Sequence, residues 1–256
     1  MSDCLIIFLY FMKWIKAVLL PQAFLGQALL LTLATAGFAG EKKEQSDRNN
    51  VLTKKEIRQG WVLLFDGKTT NGWHNYLKEG ISGWKAVNGE LITEGKNGDI
   101  VTDTEVGNFE LTIDWKIREK GNSGIFYYIV EDPQNKRMYE SGPEFQIIDN
   151  KNYPQKLTPN QVTGSASDVL PPSGDLTKPI GEWNATRIIV KNGKAEHWLN
   201  GTKILSYDLD SASWQEAVKN SKFAALNYAK TRKGKIGLQD HGDFVAYRNI
   251  KLRRLD

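Results

Sequence analysis

An antiparallel all-β sandwich or barrel is the fold class this sequence predicts, and three observations predict it. Most apolar runs alternate with polar residues at a period of two, the pattern of a half-buried strand. Glycines and an Asn-Gly pair punctuate these runs at short intervals. Almost no helical periodicity lies between them. The chain has 256 residues, 40% of them hydrophobic and 25% charged, an ordinary globular composition with enough apolar mass for one core. A β-sandwich of about 200 residues fits in one domain.

The elements follow in order. Thr53-Lys54-Lys55-Glu56 is a capping box, in which the Thr oxygen accepts from the Glu56 N–H while Glu56 reaches back. The short helix it opens ends near Gly60. Leu111, Ile113, Trp115 and Ile117 alternate with Thr112, Asp114 and Lys116, and Phe145 and Ile147 alternate with Glu144 and Gln146. Residues 125–130 and 188–190 are short β-branched or aromatic runs. Trp198 and Leu199 lead into Asn200-Gly201, a two-residue hairpin turn, with Leu205 and Tyr207 on one face of the returning strand. A second helix is expected at 213–220, and the last strands at 235–239 and 244–252. Trp61, Trp73, Trp84, Trp115, Trp183 and Trp198 are expected mostly in the core. Residues 149–181 hold five prolines and little periodicity. A long loop of that kind inside a compact domain points to a site-lining role.

The N-terminus reads as a targeting signal. Residues 5–39 are almost wholly apolar, with Lys13 and Lys16 near the start and Gly37-Phe38-Ala39 at the end. A basic start, an apolar stretch and small residues before a cut after Ala39 describe a secretory signal peptide, with Met12 as its natural first residue. The alternative is an uncleaved anchor, since the apolar length can span a bilayer. Residues 40–51 are charged and aperiodic and read as a flexible tether, leaving 52–256 as the domain. The expected location is therefore exported, periplasmic or extracellular, with no stable membrane insertion once the signal is cut.

Other classes fall away. The net charge is +4 and no basic stripe is present, so a nucleic-acid partner is not expected. Lys251, Arg253 and Arg254 interleave with Leu252 and Leu255, as on the solvent face of a strand. The single cysteine, Cys4, excludes an intramolecular disulfide and a cysteine-based zinc site. No phosphate loop or dinucleotide fingerprint follows a strand, and no metal-ligand spacing appears, so no cofactor is expected. Asp149 and Asp168 are the one pair considered for calcium. No feature specifies an oligomeric state.

Polar candidates come from strand faces. Glu144 and Gln146 project from one face of their strand, as do Gln239 and His241. Asp114 and Lys116 share another. Asn122 and Ser123 sit between glycines, as donors to a ligand or as turn formers. Glu140 lies just upstream of Glu144. Of the three histidines, His197 precedes a hairpin turn and reads as structural, and His74 follows Trp73 near a turn.

Several blocks, in order, resemble the 3-keto-disaccharide hydrolase family: Gly60-Trp61-Val62-Leu63-Leu64-Phe65-Asp66-Gly67, Gly83-Trp84, Gly121-Asn122-Ser123-Gly124-Ile125-Phe126, Gly142-Pro143-Glu144-Phe145-Gln146-Ile147, and Gly237-Leu238-Gln239-Asp240-His241-Gly242. The resemblance spans about residues 52–256. It implies a concanavalin A-like two-sheet jelly-roll sandwich with one or two short helices, whose concave sheet carries the site, in an exported bacterial enzyme. One departure is Ser167, where relatives often carry tyrosine.

The implied chemistry is cleavage of the glycosidic bond of a 3-keto-glycoside. The ketone acidifies the C2 hydrogen; a base removes it, the C1 substituent is eliminated, and water adds. That route needs a base, a donor near the enolate oxygen and an acid for the leaving group. Glu144 is the candidate base and His241 the candidate acid. Gln146, Gln239, Lys116, Asn122, Ser123 and Glu140 are candidate substrate contacts, with Lys116 on the enolate oxygen. Two readings compete: a carbohydrate-binding module without catalysis, and a conventional glycosidase using Glu140 and Glu144.

Overall fold

The computed structural model describes residues 49–255. The expected signal peptide, Cys4 and most of the expected tether lie outside the described residues. Thirteen strands form two antiparallel sheets, the expected fold class. The strands are β1 (Trp61–Leu63), β2 (Trp73–Asn75), β3 (Trp84–Val87), β4 (Glu90–Thr93), β5 (Ile100–Val106), β6 (Phe109–Ile117), β7 (Asn122–Ile129), β8 (Glu144–Ile148), β9 (Asn184–Lys191), β10 (Lys194–Leu199), β11 (Thr202–Asp208), β12 (Gly234–Leu238) and β13 (Val245–Arg254). One sheet runs β11-β10-β9-β6-β13-β4-β3, with β1 also paired to β13; the other runs β2-β5-β12-β7-β8. Among the described residues there are two α-helices, α1 (Lys54–Arg58) and α2 (Ala212–Lys219), and two 3-10 turns, Met138–Glu140 and Pro159–Gln161. Among the described residues no helix is long and apolar enough to cross a membrane.

Local sequence explains the elements. The capping box forms as read: Glu56 N donates to Thr53 Oγ1 at 3.1 Å and Thr53 N to Glu56 Oε2 at 2.7 Å. Asn200 and Gly201 both take positive φ, 49° and 86°, the geometry of a two-residue hairpin between Leu199 and Thr202. The alternation on β6 puts Leu111, Ile113, Trp115 and Ile117 in the core between the sheets. Phe145 and Ile147 of β8 meet it from the other sheet. Two expectations need correction. Asn50, placed in the tether, is buried and exchanges backbone-to-side-chain hydrogen bonds with Asn249 at 2.7 and 2.8 Å, so the folded body begins before residue 52. Trp61, Trp183 and Trp198 are only partly buried. Each lies under cations such as Arg253, Arg248 and Arg187, which shield a ring face that the core does not.

Two features of the five-stranded sheet position the site. The register between β12 and β7 shifts between Lys235 and Gly237, and Tyr128 takes φ 60°. This bulge turns both Tyr127 and Tyr128 into the main core. Beyond it Phe126 faces outward into a second, smaller apolar cluster with Tyr76, Val101, Ile129 and Met138. The other feature is at the sheet's margin, where residues 164–167 lie along β8: Gly164 N donates to Gln146 O, Gln146 N to Ser165 O and Ser167 N to Glu144 O, at 2.9–3.2 Å.

Candidate active site

A cavity of about 240 Å³ opens on the face of the five-stranded sheet turned away from the main core. Glu144 and Gln146 enter it from β8, Asn122 from β7, and Gln239 and His241 from the end of β12. Tyr153, Gln155, Lys156, Leu157, Gln161, Ser167 and Asp168 of the long loop border it, together with Tyr139 and Lys222.

Glu144 is 6% exposed. Its carboxyl lies over Gly124 of the neighbouring strand, where a Cβ would collide with Oε1. Burial pushes its pKa up to about 8, against the pull of the Ser167 hydroxyl and the Lys222 ammonium. Gln146 Nε2 donates to Ser167 Oγ at 3.1 Å, which leaves the serine hydrogen free for the Glu144 carboxylate. Gln146 Oε1 accepts from the N–H of Ile147 at 3.0 Å, so this amide is committed to shaping the site.

Asn122 is 7% exposed. Its Nδ2 donates to Tyr153 Oη at 3.2 Å, while Oδ1 has no partner. A buried acceptor without a donor costs free energy unless a ligand supplies one. Lys222 forms an ion pair with Asp168, and Gln161 Nε2 donates to the same carboxylate at 2.7 Å. Lys222 thus brings a cation to the cavity rim.

Asp240 fixes the turn that carries Gln239 and His241. Its carboxylate accepts from Lys96 N, Asn97 N, Gly242 N and Thr93 Oγ1 at 2.7–3.1 Å. The close approach of the two turns requires Gly95, whose Cβ would strike the Gly242 backbone. His241 itself is exposed.

Three sequence candidates lie elsewhere. Ser123 points into the core, fully buried; it donates to Gln239 O at 2.7 Å and pairs with Tyr247 Oη, so it supports Gln239 from behind. Lys116 lies on the outer face of the other sheet, bound to Glu90 at 2.8 Å and 4.5 Å from the Trp183 ring centre. Glu140, in a one-turn 3-10 helix, is not among the cavity's lining residues, so it does not form the second member of a carboxylate pair with Glu144. Asp149 and Asp168, the pair considered for calcium, are both engaged by protein donors. Burial pushes the Asp149 carboxyl up, but N–H donors of Lys120, Asn152 and Lys151 outweigh it and hold it below its usual range. Asp168 is taken up by Lys222 and Gln161.

Sequence reasoning missed Lys222 and Tyr153, read Asp168 only as a calcium candidate and Ser167 only as a departure. None carries a periodic signal, because loop residues reach the cavity through long-range contacts.

The remaining histidines are accounted for. His197 is fully buried. Its Nδ1 lies 3.0 Å from the Gly164 carbonyl, which can only accept, so Nδ1 carries the hydrogen and Nε2 is the acceptor facing the paired Tyr127 and Tyr207 hydroxyls, at 3.2 and 3.3 Å. Burial pushes its pKa down to about 4. His74 sits between Asp103 and Glu131 at 2.6 and 2.9 Å, outside the Glu144 cavity.

The sequence profile of the 3-keto-alpha-glucoside-1,2-lyase-like domain matches residues 60–253. A 3-keto-disaccharide hydrolase of Bacteroides thetaiotaomicron is 32% identical, over 94% of this chain and all of its own. A solved structure from Parabacteroides distasonis, provisionally described as a glycosyl hydrolase, is 38% identical with a TM-score of 0.78, covering 81% of this chain and all of its own. A second from that organism, provisionally described likewise, is 29% identical with a TM-score of 0.56, covering 72% of this chain and all of its own. The chain belongs to the family of 3-keto-alpha-glucoside-1,2-lyase-like domains.

Proposed function

We propose that the protein cleaves the glycosidic bond of 3-keto-glycosides by proton abstraction, elimination and hydration. The observation that carries this reading is the buried Glu144 carboxyl, seated over Gly124 with a pKa near 8. The weak acidity that burial gives it makes its ionised form a stronger base than an exposed carboxylate. Such a base suits a carbon acid.

In this reading ionised Glu144 takes the C2 hydrogen. The C–H electrons form the C2–C3 double bond of an enolate, and the carbonyl π electrons move to the C3 oxygen. Lys222, not Lys116, supplies the cation for that oxygen, and Ser167 and Gln146 hold the carboxyl in place. Collapse of the enolate breaks the bond from C1 to the leaving oxygen, which takes a proton from His241. Water then adds across C1–C2 of the resulting enone, giving a 3-keto sugar beside the leaving group released with a free hydroxyl. Asn122 Oδ1 and Gln239 contact sugar hydroxyls.

The two-carboxylate alternative loses support because Glu140 is outside the cavity and Asp168 is engaged by Lys222 and Gln161. The binding-module alternative does not account for a carboxyl buried and raised in pKa beside a cation. The test is incubation of the purified domain with oxidised and unoxidised glycosides in D2O. The reading requires cleavage of the oxidised series alone, with deuterium at C2 of the product. Cleavage of plain glycosides, or a product without deuterium, overturns it.

We also propose export, supported by the apolar segment that ends at Gly37-Phe38-Ala39. N-terminal sequencing of protein released from a bacterial host should read from Gly40.

A further inference from the structure

We propose that a second cavity, adjoining the Glu144 cavity, is the subsite for the unoxidised sugar ring that leaves. The inference rests on the function proposed above and names the part of the substrate that the Glu144 cavity does not hold. That cavity encloses about 240 Å³, below the roughly 300–1,000 Å³ of sites that bury a drug-sized ligand, so it suits one ring. The oxidised ring must occupy it, because its C2 hydrogen has to reach Glu144. The other ring of a two-ring substrate then needs a separate place.

The second cavity measures about 470 Å³. Ile148, the last residue of β8, lines both cavities, and the segment that follows it borders them in turn: residues 149–152 the larger, Tyr153 and residues 155–157 the smaller. A substrate bond crossing at Ile148 would join the two. The walls are mixed in the way a pyranose is mixed. Trp115 and Ile117 of β6 supply an apolar floor for the C–H face of a ring, while Lys178 and Glu182 stand at the rim for hydroxyls. Ile180, on the same loop, lines the cavity yet remains 42% exposed. The loop is tied down on both sides of it: Lys178 N donates to Asn184 Oδ1 at 2.9 Å and Gly181 N to Ile117 O at 3.1 Å. The cavity is therefore preformed, which lowers the ordering cost of binding.

The test is Ile180→Arg, a bulky charged replacement in an exposed loop position, with thermal unfolding to show that the fold is kept. We would measure kcat/KM on a 3-keto-disaccharide and on the methyl 3-keto-glycoside of the same oxidised ring. The ratio of the two should fall tenfold or more in the variant. An unchanged ratio overturns the subsite. Failure of the wild type to turn over either compound would instead refute the proposed function. A second arm is independent of turnover: saturation-transfer spectra with free glucose should show binding to the wild type that Ile180→Arg abolishes. Glucose binding that persists in the variant, or is absent from the wild type, overturns the proposal.

Discussion

The carboxyl of Glu144 rests against the α-carbon of Gly124 on the adjacent strand, in the space a side chain would take. Gly124 carries no positive φ, so its requirement is one of room and not of backbone conformation. Gly124→Ala should leave the strand pairing intact and displace the carboxyl. We expect turnover to fall about 10²-fold, the scale of a misplaced reacting group, with a near-native far-UV spectrum. Native turnover would show that the carboxyl's seat is immaterial.

Glu144→Gln keeps shape and removes the proton acceptor. Turnover and C2-hydrogen exchange should both drop about 10²–10⁴-fold, while sugar binding changes far less. Normal exchange in the variant would exclude Glu144 as the base.

The same substitution should alter the pH dependence of stability. The carboxyl titrates near 8 in the folded state and near its ordinary 4.5 when unfolded. Between those values the folded state holds a proton that the unfolded state has released, so the wild type loses stability as pH rises through that window. Glu144→Gln lacks this loss and should gain on the wild type by on the order of a few kcal/mol between pH 5 and 9. Denaturant unfolding at several pH values measures it. Parallel curves for the two proteins would contradict the raised pKa.

Lys222→Met and Lys116→Met form a contrasting pair. Loss of the Lys222 ammonium should lower kcat by about 10²-fold, the cost of one donor to a developing oxyanion. Lys116→Met should stay within about twofold, since Lys116 serves only its ion pair with Glu90 and the Trp183 ring. The reverse order in steady-state kinetics would return the enolate contact to Lys116.

His241→Asn should slow cleavage most where the leaving alcohol is poorest. A series of aryl and alkyl 3-keto-glycosides should show a steeper dependence on leaving-group pKa in the variant than in the wild type. Equal slopes would remove His241 as the acid.

Much of this architecture is legible in the sequence because period-two alternation is a local signal. It separates Glu144 and Gln146 from Phe145 and Ile147, and it pairs Gln239 with His241. It does not say which sheet a polar face belongs to. Lys116 looks like Glu144 on that criterion, yet its strand lies in the other sheet. Ser123 follows Asn122 directly, so when one faces the cavity the other must face the core. The bulge at Tyr127–Tyr128 puts two neighbouring rings on one side, against alternation, and no local pattern announces it. Lys222 and Asp168 meet across distant segments, and a contact of that kind leaves no mark on either stretch of sequence.

β8 is the last strand of its sheet, and such a margin ordinarily offers unpaired backbone groups to any passing strand. The segment 164–167, hydrogen-bonded along β8, occupies that margin. The loop that brings Ser167 to Glu144 therefore also guards the protein against strand-mediated aggregation. Shortening it to widen the substrate range would expose the margin, and the engineered protein would lose solubility along with its serine.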